Sequence, residues 1–228
     1  MHIPDGYLSP QTYVPFYAFM IPYLGIAARK VSKFIKSRYV PLLALGAAFS
    51  FVIMMFNVPI PGGTTGHAVG GVIVAIILGP WAASIAVSIA LIVQALLFGD
   101  GGITAIGANC FNMGVVIPFV GYYLYKLISG NSEITSPRRW IAGAIAGYIG
   151  INVAAAIAGI EFGIQPMIAS GPDGHPLYAP YPLSVAVPAM AIEHLILFGL
   201  VEALVTALII KYLQKADQSF LTIYGGAK

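Results

Sequence analysis

The sequence predicts an all-α membrane protein, a bundle of seven transmembrane helices with the N-terminus outside and the C-terminus in the cytoplasm. Three observations carry that expectation. Of 228 residues, 59% are hydrophobic and 8% are charged, whereas soluble domains carry about 25% charged residues, so lipid must be the solvent for most of this surface. The apolar residues fall in runs near the roughly 20 residues that a helix needs to cross a bilayer core. The basic residues gather in three clusters that one topology places on a single face, as the preference of Lys and Arg for the cytoplasmic side requires.

The runs are 12–28, 40–57, 68–79, 82–98, 108–128, 139–159 and 183–211. Residues 68–98 form one apolar stretch broken at Gly79-Pro80, and charge decides whether it is one span or two. Arg29, Lys30, Lys33, Lys36 and Arg38 follow the first run; Lys126, Arg138 and Arg139 surround the loop after the fifth; Lys211, Lys215 and Lys228 end the chain. Two spans put all three clusters on one side, and a tight Gly79-Pro80 turn suits a helical hairpin. One span would put the middle cluster outside. The chain is then a single integral membrane domain over 1–228. Its 12% aromatic content, including 13 Tyr, suits belts at the two interfaces. The small-residue pairs Ala44/Ala48, Gly66/Gly70 and Gly143/Gly147 permit close helix approach. The opening residues lack the basic start and apolar core of a cleavable signal, so the N-terminus is expected to be kept.

Four segments are placed outside: 1–11, 57–67, 99–107 and 160–182. They carry Asp5, Asp100, Glu161 and Asp173, and also His2, His67 and His175, without Lys or Arg. An acidic, His-bearing outer face suits cation capture, although the positive-inside rule alone also removes Lys and Arg from it. The net charge of +3 is small and clustered and gives no sign of a nucleic-acid partner. A single Cys excludes an internal disulfide framework and a Cys-based metal cluster. There is no GxxxxGK[ST] loop for nucleotide phosphates and no HExxH zinc-protease motif.

The most informative dipeptide is Met1-His2. Initiator Met removal generally needs a small second residue, so Met1 is expected to stay. A free amine followed by His offers three nitrogens in order: the Met1 amine, the His2 amide and the His2 ring Nδ1. Amine and amide close a five-membered chelate, amide and Nδ1 a six-membered one, and one square-planar position stays open, a geometry suited to Ni(II) or Cu(II). His67 ends the stretch Pro59-Ile60-Pro61-Gly62-Gly63-Thr64-Thr65-Gly66, where the third run begins. Polar groups at such a depth usually face the bundle interior, and His67 is the candidate fourth nitrogen; a capping or hydrogen-bonded His is the alternative. Asp5, Asn109, Glu193 and His194 are candidates to orient the ligands from behind. For Glu193-His194 a buried structural pair serves equally well. Asn112 and Asn152 line the site or join helices, and Glu202 is an intramembrane acid and hence a functional suspect. His175 is expected in solvent and Cys110 in the apolar core.

The stretch MHIPDGYLSP at 1–10 and PGGTTGH at 61–67, with the length and hydropathy of the whole chain, resemble the substrate-binding membrane subunits of nickel and cobalt energy-coupling-factor transporters, the NikM/CbiM family, most closely its NikM side. The resemblance implies a seven-helix fold and an importer for Ni2+ or Co2+. It implies a metal held by the Met1 amine, the His2 amide and ring, and the His67 ring. It also implies partners: a transmembrane coupling subunit, two cytoplasmic ATPase subunits that hydrolyse ATP on its behalf, and a small accessory membrane subunit, which this chain is expected to lack as a fused part. Coupling in similar proteins uses an Ala-x-x-x-Ala pair, which Ala44 and Ala48 match. The implied location is a bacterial plasma membrane.

Two other classes stand beside a transport subunit. An intramembrane metalloenzyme would need a metal position for substrate, which four in-plane protein nitrogens do not leave. A passive channel needs ions to leave easily, which a chelate opposes. Uptake of cobalt for cobalamin synthesis by the same mechanism remains open, since the same ligands serve either ion in the family resembled.

Overall fold

In lipid every backbone polar group must be satisfied within the chain, which leaves helices as the main spanning element. The computed structural model describes residues 1–34, 39–60 and 64–224. Lys36, Arg38, Lys228 and the Pro61-Gly62-Gly63 part of the Gly-rich loop lie outside the described residues. The chain runs through α1 (Pro10–Phe34) and α2 (Val40–Met54), then an antiparallel hairpin of β1 (Val58–Ile60) and β2 (Thr64–Gly66). It continues through α3 (Gly71–Leu78), α4 (Pro80–Phe98), α5 (Ile106–Ser129), α6 (Pro137–Ile168) and α7 (Leu183–Ala216). A 3₁₀ turn follows at Gln218–Thr222.

Among the described residues, four helices are long and apolar enough to cross a membrane: α4, α5, α6 and α7. The protein is thus a multi-pass membrane protein. Helix α2 is apolar but has only 15 residues. The expected span 68–79 is the eight-residue α3, about 12 Å long at 1.5 Å per residue, which is less than half of a bilayer core about 30 Å thick. Two glycines set its limits. Gly70 (φ 70°) and Gly79 (φ 87°) take left-handed backbone, which side chains resist, and Pro80 starts α4 at once. The short helix packs back on α4 and also meets α5, α6 and α7. Its Val72, Ile73 and Ile76 belong to the main apolar core with Ile117, Ile151 and Ile210, so α3 is the buried centre of the bundle.

A second difference concerns the 160–182 segment expected outside. Helix α6 runs on through Gly163 and one more turn at Gln165–Ile168. Glu161 is therefore buried in a helix, where Asn112 Nδ2 donates to its Oε2 at 2.8 Å. The acid ended the apolar run in the sequence, but its amide partner on α5 lets the helix carry it inward. The last run likewise extends past 211 to Ala216.

Small residues bring the helices together. A Cβ at Gly107 of α5 would lie 2.8 Å from the Tyr17 backbone nitrogen of α1, and backbone cannot move aside as a side chain can. Gly107→Ala should therefore push α1 off α5 at an overpacking cost of about 1–3 kcal/mol. Thermal unfolding in detergent should show a lowered midpoint; an unchanged midpoint would mean that α1 docks without this contact.

Candidate metal centre

Residues 1–9 precede α1 and are tied to the bundle at successive positions, with residues 4–7 exposed. The Met1 amine donates to Thr65 O on β2 at 2.6 Å. Ile3 N donates to Asn109 Oδ1 at 2.9 Å, while Asn109 Nδ2 donates back to Ile3 O at 3.1 Å. Gly102 N also donates to Ile3 O at 2.8 Å. Asp5 accepts from Ile103 N, Thr104 N and Thr104 Oγ1. Ala179 N donates to Tyr7 O, and Ser9 N to Gln165 Oε1. Met1, Ile3 and Leu8 are buried.

These ties bring Met1 and His2 to His67, the three residues singled out as candidate ligands. His2 Nδ1 and His67 Nε2 lie 2.9 Å apart. Each ring has its other nitrogen committed. His67 Nδ1 meets Ala68 O at 3.0 Å; a carbonyl only accepts, so the proton sits on Nδ1. His2 Nε2 meets Gln94 Oε1 at 3.2 Å, and the Gln94 amide is oriented by its Nε2 donating to Phe51 O at 3.4 Å. The His2 proton thus sits on Nε2. Two neutral imidazoles so held point lone pairs at one another, with no proton between them. That arrangement repels unless a cation sits beside the pair. Two nitrogens each about 2.0 Å from a metal and at right angles are about 2.8 Å apart, close to the spacing found.

The electrostatics keep the donors unprotonated. Burial lowers the Met1 amine from its ordinary value near 8.0 to about 6, against the pull of the Glu193 and Asp100 carboxylates. Burial, then the adjacent amine, lowers His2 to about 3, and the same causes hold His67 well below the ordinary histidine range. Asp100 Oδ1 stands 3.5 Å from His2 Nδ1; its own carboxyl is raised by desolvation, with the amine opposing. Among the described residues no group of three or more His, Cys, Asp or Glu side chains is placed to hold an ion. The Met1-His2-His67 set contains only two such side chains; any further nitrogens would come from the main chain. A cavity of about 210 Å³ opens beside Met1 and His2, walled by Tyr7, Phe162, Tyr181 and Met190 among others.

The other candidates separate. Asn109 clamps the peptide next to the candidate ligands. Asp5 binds the 103–104 loop rather than facing His2, and those hydrogen bonds hold its carboxyl below the usual range. Glu193 and His194 are buried in α7, where His194 Nδ1 lies 2.8 Å from Met190 O and 3.3 Å from Glu193 Oε1. Ala44 and Ala48 are exposed on α2, away from these donors, and His175 is exposed in the 169–182 loop. Gln94, Thr65 and Gln165 escaped the sequence reading. Gln94 carried a signal, being an amide inside an otherwise apolar run. A wide π turn begins at or beside each of Gln94, Asn109 and Glu193-His194, and such turns recur at functional sites.

The tautomers are measurable without metal. Nitrogen-15 correlation spectra should show His2 protonated on Nε2 and His67 on Nδ1, both neutral at neutral pH. In Gln94→Leu the His2 ring should lose its fixed tautomer. A proton on His2 Nδ1 or His67 Nε2 in the unmodified protein would contradict the facing lone pairs.

Residues 2–220 match the family model described as the cobalt uptake substrate-specific transmembrane region. The fused nickel transport protein NikMN of Rhodobacter capsulatus is 53% identical over 97% of this chain, which spans 64% of that protein's length. A putative metal transport protein of Methanocaldococcus jannaschii is 51% identical, with 97% and 95% of the two chains covered. The crystal structure of a transition metal transporter superposes with a TM-score of 0.90 at 54% identity, covering 96% of this chain and 94% of that one. The chain belongs to this CbiM family of nickel and cobalt transport proteins.

Proposed function

We propose that the chain is the substrate-capturing subunit of an energy-coupling-factor importer for Ni(II), with cobalt the alternative cargo. It takes the ion into a square plane of four nitrogens: the Met1 amine, the His2 amide, His2 Nδ1 and His67 Nε2. The observation that carries the reading is the pair of facing imidazole nitrogens 2.9 Å apart beside a buried terminal amine. An all-nitrogen plane with a deprotonated amide favours Ni(II) over Co(II) in the usual order of divalent affinities. The cargo is an ion that must leave again, so the site binds by displacing a proton rather than by a permanent cage.

In this reading the membrane is a bacterial plasma membrane, crossed by a seven-helix bundle with its N-terminus outside and C-terminus inside, the third crossing being made by α3 together with the non-helical chain before it. The basic clusters support that orientation. Lys30 lies 3.9 Å above the Trp81 ring and Lys211 5.6 Å above Trp140, pairs suited to an interface. A transmembrane coupling subunit, two cytoplasmic ATPases and a small accessory membrane subunit complete the transporter. Ala44 and Ala48 lie one turn apart, both exposed, and are the proposed contact with the coupling subunit.

Calorimetry tests the site. One alanine inserted before Met1 should abolish high-affinity nickel binding while the fold survives; unchanged affinity would remove the amine from the site. Near pH 7.5 binding should release about one proton, that of the His2 amide, because the amine and both rings are already neutral. As pH falls through about 6 the amine gains a proton, so release should rise towards about two and affinity should fall. Zero protons released would exclude the amide.

A second test separates capture from transport. Ala48→Trp should leave nickel affinity nearly unchanged, since the side chain faces outward, but stop uptake and weaken recovery of the complex. Normal uptake with this variant would refute the α2 coupling face.

A further inference from the structure

Helix α3 begins without a local cap. Its first residues follow Gly70, which has no side chain to accept from the free N–H groups of the first turn. Capping ordinarily comes from a Ser, Thr, Asp or Asn at that position. Here an acceptor for the two residues leading into the helix comes from α7. Glu202, fully buried, places Oε2 2.7 Å from Val69 N and 3.0 Å from Gly70 N. One turn earlier on the same face of α7, Phe198 lies against Gly66, where any Cβ would run into its ring. Two side chains of one helix therefore grip the backbone on both sides of His67. The ring of His67 is itself pinned to this backbone through Nδ1 and Ala68 O.

We propose that Glu202 is a positioning residue for metal capture: by capping α3 from α7 it sets the place of His67 Nε2 relative to His2. The inference rests on the nitrogen site argued above. Its chemical requirement is narrow. One oxygen serves both N–H groups, so reach and acceptor capacity matter, and the second oxygen has no hydrogen-bond partner among the described residues. A glutamine keeps such an oxygen at the same distance without the charge. An aspartate keeps the charge but is one methylene short and cannot hold both groups with α7 in place. If the backbone at 69–70 relaxes, the segment carrying His67 shifts, and the fourth nitrogen leaves its in-plane position.

The test compares Glu202→Gln with Glu202→Asp, using nickel alone as the probe and purified full-length chain in detergent. Calorimetry and the visible absorption of bound nickel are read on both, beside the unmodified chain and His67→Ala. Glu202→Gln should bind within about three-fold of the unmodified chain with the same absorption band, while Glu202→Asp should bind about 10–100-fold more weakly, the range for residues that orient metal ligands. Its band should shift to longer wavelength as the planar field weakens. A general loss of packing would lower thermal stability without moving the band of the remaining bound nickel. Equal affinity and equal spectra for the Asp variant would overturn the inference, provided that the unmodified chain binds and His67→Ala does not. A Gln variant as weak as Asp would also overturn it, by showing that charge rather than reach is needed. If the unmodified chain failed to bind nickel, the site and this inference would fall together.

Discussion

The constraint on which the rest of the structure depends is the entry of a non-helical N-terminal segment, exposed at residues 4–7 and buried at Met1 and Ile3, into a helical membrane bundle. Backbone outside a helix is costly there, because each unpaired N–H or C=O has no water to turn to. The fold meets this by giving the segment polar partners from five different places. Thr65 on the hairpin receives the amine, Asn109 and Gly102 hold Ile3, the 103–104 loop holds Asp5, Ala179 holds Tyr7, and Gln165 holds Ser9. The outcome is a charged terminus drawn to the centre of an apolar protein, where burial strips its proton. A terminal amine that would be cationic in water becomes a neutral donor, and two histidines that would titrate near neutrality stay neutral beside it.

The short central helix lies next to this segment. Helix α3 starts only after His67 and stops at Gly79-Pro80, so the chain that meets Met1 and His2 is the non-helical stretch before it. His67 sits at the junction of the hairpin and this helix. Glycines at both ends supply the backbone turns that a continuous helix forbids. The helices around it are adjusted in turn: α4, α5 and α7 each open a wide turn beside a polar residue near the donors, and α5 lies against α1 at Gly107.

Much of this was legible in the residues. Hydropathy located most of the helices, and Met1, His2 and His67, which the fold brings together, were candidates because a terminal amine, an amide and a ring nitrogen in sequence can close a chelate. What was not legible depends on partners distant in sequence. Glu161 looked like the end of a span because its amide partner, Asn112, lies 49 residues away. The run 68–79 gave no sign that only eight of its residues would be helical, because apolar length alone does not reveal that a helix is buried on all sides. Asp5, three residues from His2, looked like part of the site, yet its carboxylate is taken by Ile103 and Thr104. Gln94 was passed over within its apolar run, and only the fold brings its Oε1 to His2 Nε2.

The central claim is that the facing imidazoles and the buried amine form one planar nitrogen site. X-ray absorption at the nickel edge of the metal-loaded protein tests it most directly. The account predicts four nitrogen neighbours at about 2 Å, outer-shell scattering from two imidazole rings, and the pre-edge feature of a square-planar ion. A shell of six oxygen or nitrogen neighbours without that feature, or scattering from a single ring, would contradict it.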